Sequence, residues 1–288
     1  MPRWRTVLVS TVAEAVGPIV GMLEDHGHEA IAVITRPRVG FPGVDEMIAA
    51  AQPALDVLVP RAKDRLAPLI RATDPDLLLC LGFPWLIPDD ALEIPRVGAV
   101  NMHPSLLPRY RGPNPIGWTY RNDDPEMGLT FHRMAAHFDT GTILAQGSVP
   151  VHDDDHLETI GRRLEPLAVS LFPRVLERLA AGDPGDIQRE EDAVYAGLME
   201  DEWAEIDWTR PARAVHNQVR SWTLPSKNGI KGALTTLEGD RVRVIRTSLH
   251  PPREGDGPPG QVVGREHGRP LVQCGDGRAI WVLQMEPV

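Results

Sequence analysis

The segment Val97–Gly112, which reads VGAVNMHPSLLPRYRG, decides how the rest of the chain is interpreted. It opens with four small or apolar residues, which predict a buried strand, and turns polar at Asn101. Asn101 and His103 are two residues apart, so at the extended end of a strand both side chains lie on one face. Pro104 and Pro108 then end the strand and stiffen the turn. An amide and an imidazole are therefore expected side by side at the carboxyl end of a strand, where open α/β sheets bind their ligands.

The residues before this segment predict a doubly wound α/β domain. Short apolar runs alternate with stretches of helical period, which is typical of a parallel sheet covered by helices. The first strand is not followed by G-x-G-x-x-G, which argues against a nicotinamide or flavin dinucleotide in the usual place. The sheet is thus predicted to be Rossmann-like in shape but not in cofactor. Its strands are predicted at Thr6–Ser10, Ala30–Ile34, Leu55–Val59 and Asp76–Leu81, and its helices at Val12–His26 and Ala62–Ala72.

The chain after Gly112 is predicted to complete this domain and to add a second one. A helix is expected over Pro113–Arg121, followed by strands at Gly128–Met134 and Thr142–Gln146 and a long helix at Asp155–Ala181, interrupted at Pro166 and Pro173. Gly, Pro and Asp residues at 182–186 then mark a linker. Short alternating segments between Gly/Pro turns follow, and they predict a small OB-like β-barrel. Those segments are Ala233–Glu238, Val242–Ser248, Gln261–Gly264, Leu271–Cys274 and Ala279–Gln284.

The domain boundaries follow from these patterns. We predict a Rossmann-like parallel-sheet domain at residues 1–185, a linker at 186–208 and the OB-like β-barrel at 209–288. The 288 residues, 42% of them hydrophobic, suffice for two domains with cores of their own.

Charge and cysteine content exclude several classes of function. The net charge is −10, and residues 201–288 hold 12 Lys or Arg against 11 Asp or Glu, so neither part is strongly basic. Cys80 lies within an apolar run, which indicates a buried free thiol rather than a disulfide or a metal ligand. Glu14 breaks the apolar stretch near the N-terminus, and no run reaches the roughly 20 apolar residues of a membrane span. We therefore expect a cytoplasmic protein without membrane association, and the oligomeric state stays open.

The quoted segment, followed later by Asp139-Thr140-Gly141, resembles the formyltransferases that use 10-formyltetrahydrofolate. Methionyl-tRNA, glycinamide ribonucleotide and sugar N-formyltransferases belong to this family. The resemblance is strong at residues 76–146 and weaker at 201–288, where Ile206–Pro211 is similar to the opening of the barrel-like domain of the methionyl-tRNA and sugar enzymes. It implies a Rossmann-like formyltransferase domain before that barrel. It also implies that Asn101, His103 and Asp139 are the catalytic trio.

Formyl transfer explains why these residue types belong together. An amine attacks the formyl carbon, negative charge grows on the formyl oxygen, and protons must leave one nitrogen and reach another. Asn101 can donate amide hydrogens to the oxygen, and His103 titrates near neutrality and can handle the proton. Asp139 can pair with His103 and orient it. The formyl group arrives already activated, so we expect neither a nucleophilic side chain nor a metal.

The donor is predicted to bind beside the loop that follows the Asp76–Leu81 strand. This loop is apolar, aromatic and stiffened by proline, and a flat heterocycle would find a stacking surface there. The resemblance implies that it forms part of the pterin pocket, although a loop that only covers the core would read the same way. The candidate donor-binding residues are Phe83, Pro84, Trp85, Leu86, Ile87, Pro88 and Phe138.

Four residues beside the trio are candidates for binding a substrate, namely Ser105, Arg109, Arg111 and Gly112. The two arginines flank the turn and could meet an anionic acceptor or the glutamate tail of folate, or they could be solvated surface residues. His132 lies mid-strand and is interpreted as a core or hydrogen-bonding histidine.

The acceptor is the least determined part of the prediction. The methionyl-tRNA enzymes carry a basic insertion after the second strand, whereas the stretch 35–43 here is short and holds only two arginines. We therefore expect a small-molecule amine, such as an amino sugar nucleotide, an amino acid or a natural-product amine. Methionyl-tRNA is the alternative, because the second domain resembles that of the tRNA enzyme.

Two further functions share the same predicted site. Water can replace the amine, which would make the chain a 10-formyltetrahydrofolate hydrolase. A folate-binding protein with a relict site is the remaining alternative, and the complete trio argues against it.

Overall fold

The computed structural model describes residues 2–36, 43–51 and 55–288. They form two compact units, the first made of residues 1–112, 128–149 and 163–195 and the second of residues 113–127, 150–162 and 196–288. Most of the stretch 35–43, on which the acceptor prediction rested, lies outside the described residues. The domain boundaries predicted at residues 185 and 208 stay a prediction.

A seven-stranded sheet organises the first unit, in the order β3-β2-β1-β4-β5-β6-β7. The pairs β1–β2, β2–β3, β1–β4 and β4–β5 are parallel, which confirms the predicted Rossmann-like sheet. β6 instead runs antiparallel to β5, so the sheet is mostly rather than wholly parallel. The strands are β1 (Arg5–Ser10), β2 (Glu29–Ile34), β3 (Asp56–Leu58), β4 (Leu77–Leu81), β5 (Gly98–His103), β6 (Glu126–Arg133) and β7 (Ile143–Pro150).

Helices lie between these strands and after them. The predicted interruptions at Pro166 and Pro173 are wrong, because one helix continues through both prolines. Its apolar face, including Phe172 and Leu176, is buried, and this packing outweighs the lost backbone hydrogen bonds. Two short helices, α2 and α4, were not predicted. The helices are α1 (Val16–Asp25), α2 (Val44–Ala51), α3 (Leu66–Thr73), α4 (Asp89–Leu92), α5 (Pro115–Arg121), α6 (Leu157–Ala180) and α7 (Ala212–Arg220).

The register of the central strands positions the loops at their carboxyl ends. β4 is apolar along its length and buried, and it contributes Leu78 and Cys80 to the core of the first unit. Cys80 is paired in register with Asn101 on β5. The loop that follows β4 therefore starts next to the point where the polar residues of β5 begin.

The second unit contains a five-stranded antiparallel sheet in the order β10-β11-β12-β9-β8. Register shifts interrupt the pairing of the long strands β9 and β12. Helix α7 packs Val215 and Val219 into one core with Val244 and Ile280. The predicted small β-domain is thereby confirmed. Its strands are β8 (Ala233–Leu237), β9 (Asp240–Glu254), β10 (Val262–Glu266), β11 (Arg269–Gln273) and β12 (Arg278–Pro287).

Both cysteines are free and buried, as predicted for Cys80. Burial raises the pKa of the Cys80 thiol to about 12, and likewise that of Cys274, so neither is a thiolate at neutral pH. Across the described ranges, the structure contains no helix with the length and apolar character that a membrane span requires.

Candidate active site

The last residues of β5 provide two of the predicted catalytic groups. Asn101 and His103 lie at the carboxyl end of this strand, two residues apart and therefore on one face. His103 is only 5% exposed. The antiparallel neighbour β6 places His132 directly opposite Asn101 and Thr130 opposite His103. The carboxyl-terminal ends of β5 and β6 therefore present an amide and two imidazoles together.

Asp139 joins them from the turn between β6 and β7. Its backbone has a φ of 57°, in the left-handed region. Gly141 follows in the same turn, and a Cβ there would lie 1.8 Å from the carbonyl oxygen of Arg133, so the tight approach requires glycine. The Asp139 side chain is 8% exposed and points back toward β5. Sequence and turn geometry together thus bring the third predicted residue to the strand end.

The Asp139 carboxylate lies at the centre of the cluster. Its Oδ1 is 3.3 Å from Asn101 Nδ2, 3.6 Å from His103 Nδ1 and 3.4 Å from His132 Nε2. Its Oδ2 accepts a hydrogen bond of 2.8 Å from the backbone N–H of Gly112. The structure therefore brings Asn101, His103 and Asp139 together, and it adds a fourth side chain.

His132 is the residue of this cluster that the sequence did not assign. Its Nε2 lies 3.1 Å from Asn101 Nδ2, and its Nδ1 lies 2.8 Å from the carbonyl oxygen of Arg133. The interpretation as a hydrogen-bonding histidine agrees with these contacts. Only the antiparallel register of β6 on β5 reveals that the hydrogen bonds are made to the predicted site.

Backbone carbonyls fix the direction of both imidazoles. His103 Nε2 lies 2.8 Å from the carbonyl oxygen of Tyr110, as His132 Nδ1 does from that of Arg133. Because a carbonyl can only accept, each of these nitrogens carries the hydrogen. In a neutral His103 ring, Nδ1 then carries the lone pair, and this nitrogen faces Asp139.

Burial and neighbouring charge set the protonation states. Burial lowers the pKa of His103 below 6.5, although Asp139 and the Tyr110 carbonyl act in the opposite direction. Burial alone would raise the pKa of Asp139, but His103, His132 and the Gly112 N–H outweigh it and lower that pKa to about 2. At neutral pH the cluster therefore holds a carboxylate beside a neutral His103. Such a pair can accept a proton and stabilise the resulting cation.

The candidate substrate-binding residues make internal contacts in the structure. Ser105 Oγ donates to the carbonyl of Arg109 at 2.8 Å, and Arg109 donates to the Tyr110 hydroxyl at 2.8 Å. Arg111 is buried and donates to Gln188 and Glu190. With Gly112 bound to Asp139, these residues stabilise the turn after β5, and their contact with a substrate stays a prediction.

The candidate donor-binding loop is partly in the core and partly open. Phe83 and Ile87 are buried in the core of the first unit, where Trp85 also packs. Trp85, Leu86 and Pro88 are half-buried, and Pro84 is exposed. The Arg36 guanidinium lies over the Trp85 ring, 4.2 Å from its centroid. Phe138, the other donor-binding candidate, is 49% exposed next to Asp139.

The cluster lies outside two cavities of the described structure. A cavity of about 300 Å³ is lined by Trp4, Arg96 and Arg133 among others, and one of about 140 Å³ by residues that include Asp153 and Arg213. Neither is lined by Asn101, His103 or Asp139. In the parts of the chain that the structure describes, no group of three or more His, Cys, Asp or Glu residues could hold a metal ion. The candidate site is thus identified by its polar contacts.

Comparison with protein families gives two matches that together span most of the chain. The family described as formyl transferase matches residues 6–176, and the formyl transferase C-terminal domain matches residues 198–288. The chain is 32% identical over 294 residues to a methionyl-tRNA formyltransferase of Trichlorobacter lovleyi, covering 97% of this chain and 89% of that protein. It is 33% identical over 298 residues to the enzyme of the same name from Citrifermentans bemidjiense, covering 99% and 90%.

Solved structures share the fold at lower identity. HypX from Aquifex aeolicus in complex with tetrahydrofolic acid matches with a TM-score of 0.74 and 19% identity, over 99% of this chain and 44% of HypX. The N-formyltransferase from Helicobacter canadensis, with folinic acid and dTDP-3-aminofucose, matches with a TM-score of 0.66 and 16% identity, over 98% of this chain and 99% of that one. Together with the family matches and the relatives above 30% identity, the observations show that the chain belongs to the formyl transferase family and is a folate-dependent enzyme that takes its formyl group from 10-formyltetrahydrofolate.

Proposed function

We propose that this enzyme formylates the amino group of methionyl-tRNA. The observation that supports this acceptor is the match to relatives named methionyl-tRNA formyltransferase, which extends over both family regions and reaches 97% and 99% of the chain. These relatives favour the tRNA acceptor over the small-molecule amine expected from the sequence. That expectation rested on few basic residues, and net charge says little about how charge is distributed locally.

Formyl transfer requires three contributions from the protein. The amine must be held uncharged near the formyl carbon, the growing negative charge on the formyl oxygen must be stabilised, and protons must move between two nitrogens. The donor supplies an activated formyl group when bound. The cluster of Asn101, His103, His132 and Asp139 has the functional groups to stabilise the formyl oxygen and to move protons.

Asn101 is proposed to stabilise the formyl oxygen in the transition state. Its amide nitrogen lies 3.1 Å from His132 Nε2 and 3.3 Å from Asp139 Oδ1. The distance to Asp139 is longer than the 2.7–2.9 Å typical of charge-assisted hydrogen bonds. Catalytic hydrogen bonds are often long in a free enzyme and tighten only when substrates bind. An amide held this loosely can turn one hydrogen toward an oxyanion while keeping the other on Asp139.

His103 is proposed to handle the proton that the amine loses. Its pKa lies below 6.5, so the ring is neutral at physiological pH and can accept a proton. Asp139 is ionised and lies 3.6 Å from His103 Nδ1, where it would stabilise the charged imidazole. His132 Nε2 lies 3.4 Å from the same carboxylate oxygen. The proton that the amine releases would therefore go to His103, an imidazole that already lies beside the Asp139 carboxylate.

The loop at residues 82–88 is proposed to hold the pterin of the donor. Its buried residues Phe83 and Ile87 anchor it to the core, which leaves the half-buried Trp85 and Leu86 as apolar surface. A flat ring stacking there would lie near the start of the polar part of β5, because Cys80 pairs with Asn101 in register.

The experiment offers the purified protein 10-formyltetrahydrofolate with methionyl-tRNA, uncharged tRNA, free methionine or an amino sugar nucleotide. Mass spectrometry of each acceptor then measures the added formyl group. We expect methionyl-tRNA to be formylated and uncharged tRNA and free methionine to remain unchanged. Formylation of the amino sugar with unmodified methionyl-tRNA would overturn the proposed acceptor, and formate release without any acceptor would indicate a hydrolase.

A further inference from the structure

The segment that follows α6 contains a buried amide next to the candidate active site. Gln188 is 6% exposed. Its Nε2 donates to the backbone carbonyls of Asp139, at 2.8 Å, and of Gly141, at 2.7 Å. Both carbonyls belong to the turn that carries the Asp139 side chain. One side chain from a distant part of the sequence thus satisfies two acceptors of this turn.

A buried arginine fixes the direction of this amide. Arg111 Nε and Nη2 donate to Gln188 Oε1 at 3.0 and 2.9 Å. Arginine can only donate and carbonyls can only accept, so the amide has one orientation that satisfies every partner. Arg111 is itself held by two hydrogen bonds to the carboxylate of Glu190, at 3.0 and 2.8 Å. The series of hydrogen bonds from Glu190 through Arg111 to Gln188 therefore ends at the turn. The Gln188 amide cannot be flipped without losing its partners.

The turn has features that require such support. Asp139 has a φ of 57°, which costs free energy for a residue other than glycine. A buried carbonyl that lacks a hydrogen-bond donor destabilises the fold. Because Gln188 supplies donors to the carbonyls on both sides of Thr140, it stabilises this backbone conformation. The position of the Asp139 carboxylate between His103 and His132 depends on that conformation.

We propose that Gln188, held by Arg111, is a positioning residue that keeps the Asp139 carboxylate in place for formyl transfer. This role rests on the proposed function of Asp139, and it does not depend on which amine is the acceptor. Arg111, which the sequence suggested for substrate binding, acts in this proposal through Gln188. Gln188 lies outside the motif at 101–112, and the sequence offers no local signal for it.

The test compares Gln188→Leu and Gln188→Glu with the wild-type enzyme. Leucine keeps much of the volume but neither donates nor accepts, whereas glutamate keeps the pair with Arg111 and loses the donors to the two carbonyls. We expect each variant to lower kcat about 10- to 100-fold, since a misplacement near 1 Å can cost about 100-fold in rate. The KM for 10-formyltetrahydrofolate should not change, because Gln188 makes no contact with the candidate donor loop among its described hydrogen bonds.

A pH profile separates positioning from a general loss of stability. Two titratable groups face His103, namely Asp139 of the turn between β6 and β7 and His132 of β6. The neutral Cys80 thiol of β4 also lies near the Asp139 carboxylate. If Gln188→Leu lets the carboxylate move away, His103 loses a favourable charge and the acidic limb of kcat/KM should move to lower pH. Reduced folding stability alone would lower the active fraction without moving that limb.

A neighbouring residue provides the matched control. Arg189 is next in sequence, 72% exposed at its side chain, and pairs with Glu191 and Asp192 at the surface. Arg189→Ala should leave kcat and the pH profile unchanged. A folded Gln188→Leu variant with wild-type kcat and pH profile would overturn the inference. If Asp139→Asn is also fully active, the proposed function of Asp139 fails; if only Asp139→Asn is inactive, the role of Gln188 alone is refuted.

Discussion

At the scale of single residues, the candidate site is a carboxylate shared by three side chains. Asn101, His103 and His132 all approach Asp139 Oδ1 within 3.3–3.6 Å, and the Gly112 N–H holds the other oxygen. The two-residue spacing of Asn101 and His103 predicts their common face. Asp139 was assigned from family resemblance, because neither its spacing nor the turn motif alone indicates contact with β5. His132 and Gln188 could not be assigned, since both depend on pairings between distant segments.

Replacing the proposed oxyanion donor tests its role. Asn101→Ala should lower kcat by about 10²- to 10³-fold, the usual loss when one such donor is removed, equal to about 2.7–4 kcal/mol. Binding of 10-formyltetrahydrofolate, measured by isothermal titration calorimetry, should be retained because the substitution leaves the loop at 82–88 unchanged. A variant that binds 10-formyltetrahydrofolate and turns over at the wild-type rate would show that Asn101 does not donate the hydrogen bond to the formyl oxygen.

The pH dependence of the reaction follows from the protonation state of His103. The pKa of this residue is lowered from 6.5 by burial, so the neutral form persists to lower pH than for an exposed histidine. We expect kcat/KM to fall as the pH decreases, with a midpoint below 6.5, because protonated His103 cannot accept the proton of the amine. Initial rates measured between pH 5 and 8 give this midpoint. A midpoint at or above 6.5 would contradict the assignment.

At the scale of elements, packing and pairing decide what sequence patterns leave open. The continuous apolar run of β4 predicts a buried strand, and it is one. The alternating pattern of β6 also predicts a strand, but the pattern has no direction, so it could not show that β6 is antiparallel to β5. Pro166 and Pro173 suggested breaks that the buried face of α6 overrides. Tertiary contacts therefore determine both the direction of β6 and the continuity of α6.

The turn between β6 and β7 should be intolerant of a side chain at Gly141. Its Cβ would lie 1.8 Å from the Arg133 carbonyl oxygen, so Gly141→Ala forces the backbone to move. We expect a loss of unfolding free energy of at least about 1–3 kcal/mol, as for overpacked cores. Urea denaturation measures this loss. Gly161→Ala is the control, because nothing lies within 4 Å of its Cβ on α6 and alanine should stabilise that helix slightly. Equal stability of the two variants would contradict the structure of the turn.

At the scale of the whole molecule, both predicted architectures are present, and the predicted formyl donor is that of the family. The alternation of strands and helices and the later series of short strands gave the two kinds of architecture. The acceptor could not be obtained in the same way, because local charge, rather than a net charge of −10, governs contact with a polyanion.

Salt dependence should separate the two acceptor classes. If methionyl-tRNA is the acceptor, log kcat/KM should fall linearly with log salt concentration, since phosphate contacts release bound cations. The slope is obtained from initial rates at several KCl concentrations below saturation with methionyl-tRNA. Formate release in the absence of acceptor serves as the control for effects on the donor site. A flat response would contradict the tRNA proposal.

The most direct test of the account is the rate of formyl transfer by Asp139→Asn in a single turnover with the donor already bound. Asparagine keeps the shape of the side chain but removes the charge that His103 and His132 share. The account predicts unchanged donor affinity and a transfer rate lowered by about 10²- to 10⁴-fold, the range for loss of a proton-handling group. Transfer at the wild-type rate by this variant would contradict it.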